Sequence, residues 1–240
     1  MTIKQKMVDL AQYAVGKTQF RLVTGQLADP ELLQEVFADW SQGVLHFGGH
    51  VGQEAENYAE FNKPVVWFEA IPSIAEKLRT HVAQFPHQRV IEACISNVDG
   101  ERVTFNISSN DQGASSSLFE FGTASSGPQS MWPDLNLRMV DTIELETSTI
   151  DSLLAANNVD ARQYDHWIVD LQGAELLALQ GAQKSLEYCR SLVVESSSID
   201  VYSGGAQWTE IRDFLTARGF VPLWECLGHF NVLFVRLSTA

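Results

Sequence analysis

Positive charge is scarce in this sequence. Its 240 residues hold 16 Lys and Arg against 30 Asp and Glu, a formal net charge of −14. Nucleic-acid backbones and anionic membrane surfaces are bound through basic side chains, so neither is expected as a main partner. Cysteine is also sparse. Cys94, Cys189 and Cys226 are odd in number, widely spaced and without a CxxC pair. That pattern argues against a disulfide framework and predicts small buried side chains in a reducing compartment. No apolar run approaches the ~18 to 20 residues that span a bilayer. The opening "MTIKQKMVDLAQYAVGKTQF" holds neither a long apolar segment nor a small-residue cleavage site, so no signal peptide is read and the cytoplasm is the expected location. Missing too is a complete GxGxxG pattern, which counts against a dinucleotide ligand.

What is present is an ordinary globular composition, 45% hydrophobic and 19% charged, at a length that suits one α/β domain over residues 1–240. Residues 1–40 read as helical, with a start at Asp29-Pro30 before "ELLQEVFADW". Then hydrophobic strands alternate with helical segments. "VLHF", "PVVWFEAIP", "RVIEACIS" and "ERVTFNIS" read as strands. So do "TIELETS", "YDHWIVD" and "SLVVESSSI". Ile74, Leu78, Val82 and Phe85 recur at helical spacing, and "WTEIRDFLTARGF" is a helix ending at Gly219. The last two strands flank Leu227-Gly228 as a hairpin. This order predicts a mostly parallel sheet with helices on both faces and one antiparallel strand at its end. Residues 106–141 are rich in Ser, Gly, Asn and Pro, yet carry Leu118, Phe119, Phe121, Met131 and Trp132, which suits an ordered insertion or lid better than a linker.

The strand Val44–Phe47 runs into Gly48, Gly49 and Gly52 and then into a helix-forming stretch from Gln53. A strand, a glycine turn and a helix N-terminus together suit a nucleotide-like ligand. A side chain at Gly48 or Gly52 is expected to occupy that ligand's approach. Glu69 ends the next strand 21 positions after Gly48, where a carboxylate can accept hydrogen bonds from ribose hydroxyls. An adenosine-bearing ligand shorter than a dinucleotide fits best. His46 and His50 stand four apart, but across a strand end and a turn, so helical metal-ligand spacing does not apply and no metal is expected.

In order along the chain, "VLHFGGHVGQEAENY", "VVWFEAIP", "ASSSL", "STIDSLL", "WIVDLQGAELLALQGA", "VYSGGAQWTEI" and "GHFNVLF" resemble the FkbM-type methyltransferases. The similarity runs from about Val44 to the C-terminus. It implies the class I methyltransferase fold, Rossmann-like, and S-adenosylmethionine as cofactor. The broad family usually has an acidic residue where this chain has His46. A branch with a "HxGAHxGxE" turn is nearer, and here Gly49 replaces its alanine.

The expected cofactor-binding set is His46, Gly48, Gly49, His50, Gly52, Glu69, Ala70, Ser96 and Asp170. His50 is expected to meet the cofactor, and His46 to orient the loop through a hydrogen bond. Asp170 closes one strand and Glu195 another, at carboxyl ends that line the ligand crevice of such sheets. These two are the expected catalytic carboxylates. Glu175 opens a helix, where it also complements the helix dipole; the family pattern places it and Asp170 near cofactor and acceptor. Ser115, Ser116 and Ser117, by the family's "SSSL" pattern, border the acceptor. Trp132, Gln172 and Glu175 complete that set.

The implied reaction is transfer of an activated methyl group to a hydroxyl, first of a free or glycan-linked sugar, second of a small natural product. A module that keeps the fold without catalysis competes with it, on the strength of His46. An NAD-linked oxidoreductase is disfavoured by the missing GxGxxG and by "DLQGAE".

Overall fold

The computed structural model describes residues 30–237. The helical reading of residues 1–29 lies outside the described residues. Helix α1 (Pro30–Trp40) leads into β1 (Val44–Phe47), the glycine turn, α2 (Ala55–Glu60) and β2 (Val65–Glu69). Helix α3 (Pro72–Val82) follows, then β3 (Gln88–Glu92), β4 (Cys94–Ile95) and β5 (Arg102–Ser108). After the insertion come β6 (Met139–Ser148), α4 (Ile150–Ala156), β7 (His166–Val169) and α5 (Glu175–Gln180). Strand β8 (Ser191–Ser197), α6 (Trp208–Thr216), β9 (Phe220–Pro222) and β10 (His229–Arg236) close the described chain.

Seven strands form one sheet in the order β3-β2-β1-β7-β8-β10-β9. The first five are parallel, and β10 runs antiparallel to both neighbours. The chain builds outward from β1 in one direction and from β7 in the other, so β1 and β7 flank the point where the order reverses. In open α/β sheets ligands bind just beyond the carboxyl ends of strands at such a point.

Alternation along the strands fills both faces, as period-two side-chain geometry requires. Leu45, Phe47, Val66, Phe68, Trp167 and Val169 join a core with α4, α5 and α6. Val44, Val65 and Trp67 pack on the opposite face with Ala55, Tyr58, Leu78 and Val82. Helix α3 starts on Pro72, whose missing N–H costs nothing at that position. Cys94, Cys189 and Cys226 are buried and free. Among the described residues, no helix is long and apolar enough to cross a membrane.

Two sequence expectations need correction. "RVIEACIS" is not one strand. It breaks at Ala93, whose N–H bonds to the Glu69 carbonyl, and its second half belongs to a separate three-stranded sheet, β4-β6-β5. Residues 106–141 are also not all insertion, since 106–108 lie in β5 and 139–141 in β6. Between those strands the chain is tied down by bridges Asn106–Ser117 and Phe121–Tyr202.

Packing within the protein by itself requires the glycines of the turn. A Cβ on Gly48 (φ +88°) would lie 1.7 Å from the Asp170 carbonyl oxygen, and one on Gly52 (φ +79°) 2.6 Å from Leu78 Cδ1. The turn therefore lies too close to β7 and α3 for a side chain, in a backbone region that disfavours one. Gly48→Ala is expected to lower the urea midpoint far more than Gly127→Ala. Gly127 (φ +80°) has open space around it, so that variant bears only the backbone strain, about 1 to 3 kcal/mol. Equal shifts would show that the contact with Asp170 is readily relieved.

Candidate active site

A cavity of about 390 Å³ opens at the carboxyl ends of β1, β2, β7 and β8. Its volume lies within the range of small-molecule sites. The glycine turn forms one wall and the insertion another.

On the turn side, Glu69 is buried and acts as a tie. Its Oε2 accepts from the His50 amide (2.9 Å) and Oε1 from the Ile71 amide (2.8 Å). Burial raises its pKa, and these N–H donors hold the rise back. The bond to His50 fastens a residue that adopts a left-handed conformation (φ 43°). Each carboxylate oxygen has a second lone pair, so Glu69 can still accept two hydroxyls.

His46 is buried and stacked on Trp67 (centroids 4.4 Å), with Nδ1 3.2 Å from the Tyr58 hydroxyl. Burial lowers its pKa against the opposing charge of Glu54, so it stands neutral at physiological pH. His50 Nδ1 lies 3.1 Å from Gln53 Nε2; with the amide donating, the ring proton rests on Nε2. That Nε2 is buried without a partner among the described residues, a spare donor on a wall residue of the cavity. A hydroxyl-rich ligand with acceptor atoms matches this wall.

On the other side, one amide organises two carboxylates. Gln172 Nε2 donates to Asp170 Oδ1 and to Glu195 Oε2, the latter at 2.9 Å. The Tyr202 hydroxyl donates to Gln172 Oε1, which sets the amide's orientation. Ser117 Oγ donates to the Gln172 carbonyl at 2.6 Å, holding a residue whose φ is +55°. Glu195 Oε1 lies 3.2 Å from His229 Nε2, and Trp132 meets the His229 ring edge-on at 5.6 Å. Burial lowers the His229 pKa, but the hydrogen bond and charge of Glu195 more than offset it, and the net shift is upward. Asp170 is pushed far up, first by burial and then by the charge of Glu195. Glu175 rises to about 8 for the same two reasons.

The cavity brings together His46, Gly48, Gly49, His50, Glu69, Ala70, Ser115, Ser116, Trp132, Asp170, Gln172 and Glu195. Four expected residues stand elsewhere. Gly52 packs on Leu78, and the Ser96 carbonyl is pressed against Gly181, leaving Cys94 and Ile95 to line the wall. Ser117 pins the Gln172 loop. Glu175 accepts the Leu171 and Gly173 amides and shapes that loop from behind. One oxygen from each of Asp170, Glu175 and Glu195 can be found within 4.8 Å of the others, the sole such cluster of potential metal ligands among the described residues. Gln172 and the loop amides already engage these carboxylates.

Glu54, Tyr202 and His229 also line the cavity, and sequence reasoning assigned them no role. "VYSGG" and "GHFN" stood out as motifs. Only the β8–β10 register, in which Glu195 faces Asn231, makes His229 a diagonal neighbour of Glu195.

The family model described as "Methyltransferase FkbM domain" matches residues 46–222, most of the chain. The chain belongs to the FkbM methyltransferase family. Within this FkbM domain fall Glu69, Asp170, Gln172 and Glu195, while His229 lies beyond it. A curated relative, the 2-O-methyltransferase NoeI of Sinorhizobium fredii, is 23% identical over 190 residues, covering 78% of this chain and 74% of its own. Among solved structures, the Bacillus cereus O-methyltransferase in complex with SAH has a TM-score of 0.46 at 12% identity, covering 98% of this chain and 90% of that one. The magnesium protoporphyrin IX methyltransferase of Synechocystis with bound SAM gives 0.41 at 11%, covering 99% of each. The FkbM match and the strand order make this a class I methyltransferase fold.

Glu175 predicts a pH dependence of stability. Between the ordinary carboxylate range and about 8, the folded state keeps a proton that the unfolded chain releases. Stability contributed by this group therefore falls as pH rises through that window. Glu175→Gln retains an acceptor for the loop amides and has no proton to lose. Its urea midpoint is expected to decline less than the wild type's from about pH 5 to about pH 8; parallel curves would contradict the assignment.

Proposed function

We propose that this FkbM-family methyltransferase uses S-adenosylmethionine to methylate a hydroxyl oxygen, and that Asp170 takes the hydroxyl proton. The acceptor expected first is a sugar hydroxyl, free or glycan-linked; a hydroxyl of a small natural product comes second. The observation that carries the reading is the pairing across one cavity of the Glu69–His50 wall with the Asp170–Gln172–Glu195 group. The name of NoeI, a 2-O-methyltransferase, supports oxygen as the acceptor atom.

The cofactor, when bound, supplies a methyl group already activated on a sulfonium. The protein's part is position and proton transfer. A hydroxyl oxygen must be held roughly 3 to 3.5 Å from the methyl carbon, in line with the departing sulfur. Asp170 Oδ1 is held by Gln172, whereas Oδ2 has no partner among the described residues. Burial and the neighbouring Glu195 make Asp170 a strong proton acceptor when ionised. Glu195 has both oxygens engaged, one by Gln172 and one by His229, so it positions rather than receives. A binding module without turnover is the second reading, favoured by the neutral His46 at the end of β1.

Calorimetry with S-adenosylmethionine, its demethylated product and NAD is expected to show binding of the first two only. A screen of hydroxylated acceptors for methyl uptake then separates enzyme from inert module. With an acceptor in hand, Asp170→Asn should keep cofactor affinity within about a few fold and lower kcat by roughly 10² or more. Normal turnover in that variant with failure of Glu195→Gln would reverse the two roles.

A further inference from the structure

Beside the carboxylates, the cavity has an apolar wall that the reaction does not use. Phe121, Trp132 and Val201 line it and pack in one cluster with Tyr202. The cluster meets the reacting end of the site at two points. The Tyr202 hydroxyl holds the Gln172 amide, and the Trp132 ring stands edge-on to His229, the partner of Glu195. Leu135 and Leu137 extend the wall, on either side of Asn136 in a left-handed conformation (φ 44°). The chain is tied on both sides of this bow, the Met131 N–H to the Ala124 carbonyl (2.8 Å) and the Ser109 N–H to the Arg138 carbonyl (3.0 Å).

Leu135 is 57% exposed although it lines the cavity, and of the exposed large apolar side chains among the described residues it alone does so. A single exposed leucine is ordinary on a protein surface; one that continues an apolar cavity wall marks a place for a ligand. The volume of about 390 Å³ is at the low end for a small-molecule site. With a cofactor inside, the bulk of an acceptor stands at the mouth, against Leu135. Charge narrows the acceptor further. Four carboxylates line the cavity, Glu54, Glu69, Asp170 and Glu195, and no Lys or Arg does so among the described residues. His229 is already paired with Glu195. A phosphate or carboxylate on the acceptor would meet like charge and find no free basic side chain to receive it.

Resting on the reading above, we propose that the acceptor is an uncharged hydroxyl compound bearing an apolar group, which lies on Trp132, Leu135 and Leu137 while the hydroxyl reaches Asp170. An alkyl or aryl glycoside has this chemistry, and so has a hydroxylated aromatic compound. A free sugar lacks the apolar group. A sugar phosphate or a nucleotide sugar brings negative charge to the carboxylates. Leu135 is thus a specificity-determining residue, and its exposed side chain is covered when the acceptor binds.

The test is calorimetry on the full chain loaded with S-adenosylhomocysteine, using methyl, hexyl and phenyl β-glucoside, 4-ethylphenol and glucose 1-phosphate. Hexyl and phenyl glucoside are expected to bind roughly tenfold or more tighter than methyl glucoside, and glucose 1-phosphate not to bind. Binding of 4-ethylphenol as tight as phenyl glucoside supports the proposal with an aromatic acceptor as the source; weaker binding supports it with a glycoside. Leu135→Asp is expected to remove the preference for hexyl over methyl glucoside. Val98→Asp, at an exposed apolar position outside the cavity, should keep it. Binding of S-adenosylhomocysteine reports that both variants are folded. The proposal is overturned if methyl and hexyl glucoside bind equally or not at all, if glucose 1-phosphate binds as well as either, or if Leu135→Asp keeps the preference. It is overturned too if Leu135→Asp turns a dimer into a monomer in sedimentation with glycoside binding intact, since a second copy then covers the patch. A wild-type chain that does not bind S-adenosylhomocysteine overturns the cofactor reading itself, and this proposal with it.

Discussion

Two carboxylates at the ends of neighbouring parallel strands must be kept close without repelling each other apart. Gln172 meets that constraint with a single amide, giving one N–H to Asp170 and one to Glu195. An amide can do this only in one orientation, and the Tyr202 hydroxyl on its oxygen selects it. The left-handed backbone at Gln172 and Gly173, the Ser117 bond and the Glu175 carboxylate behind the loop all hold that amide in place. Partial satisfaction of such a network costs more than an apolar core, so its members stand or fall together.

The opposite wall obeys a related rule. Glu69 is a buried acid that meets its desolvation cost with backbone amides, and in doing so it fixes the His50 turn. The turn reaches β7 so closely that Gly48 has no room for a Cβ. The Glu69–His50 wall and the Asp170–Glu195 wall are thus parts of one packed junction between β1 and β7. A disturbance at Gly48 reaches Asp170 through the backbone, without a ligand in between.

Charge follows a gradient of commitment around the cavity. Glu69 and Glu195 have both oxygens engaged, Glu69 by backbone amides and Glu195 by Gln172 and His229, and these contacts shape the site. Asp170 has Oδ1 held by Gln172 and no partner on Oδ2 among the described residues. The serine hydroxyls of the insertion are all engaged: Ser117 donates to the Gln172 carbonyl, Ser115 accepts from the Asn110 amide and Ser116 from the Ser108 N–H, although Ser115 and Ser116 also line the cavity.

Much of this was legible in the sequence because it depends on local pattern. Hydrophobic runs of β length that end in Glu69, Asp170 and Glu195, separated by helices, must place those acids along one edge of a parallel sheet. The glycines announced a tight turn, and the family motifs named the chemistry. Sequence alone could not say which sheet a strand joins, so the division of "RVIEACIS" between two sheets was invisible until Ala93 was seen to leave the ladder. Nor could it give the β8–β10 register that brings His229 to Glu195. The sequence singled out the turn glycines for a ligand's approach, but it could not show that the atoms a Cβ would meet at Gly48 and Gly52 belong to Asp170 and Leu78, distant in sequence. Periodicity reports which way a side chain faces; what it meets there is set by elements packed from elsewhere in the chain, and only the tertiary structure decides it.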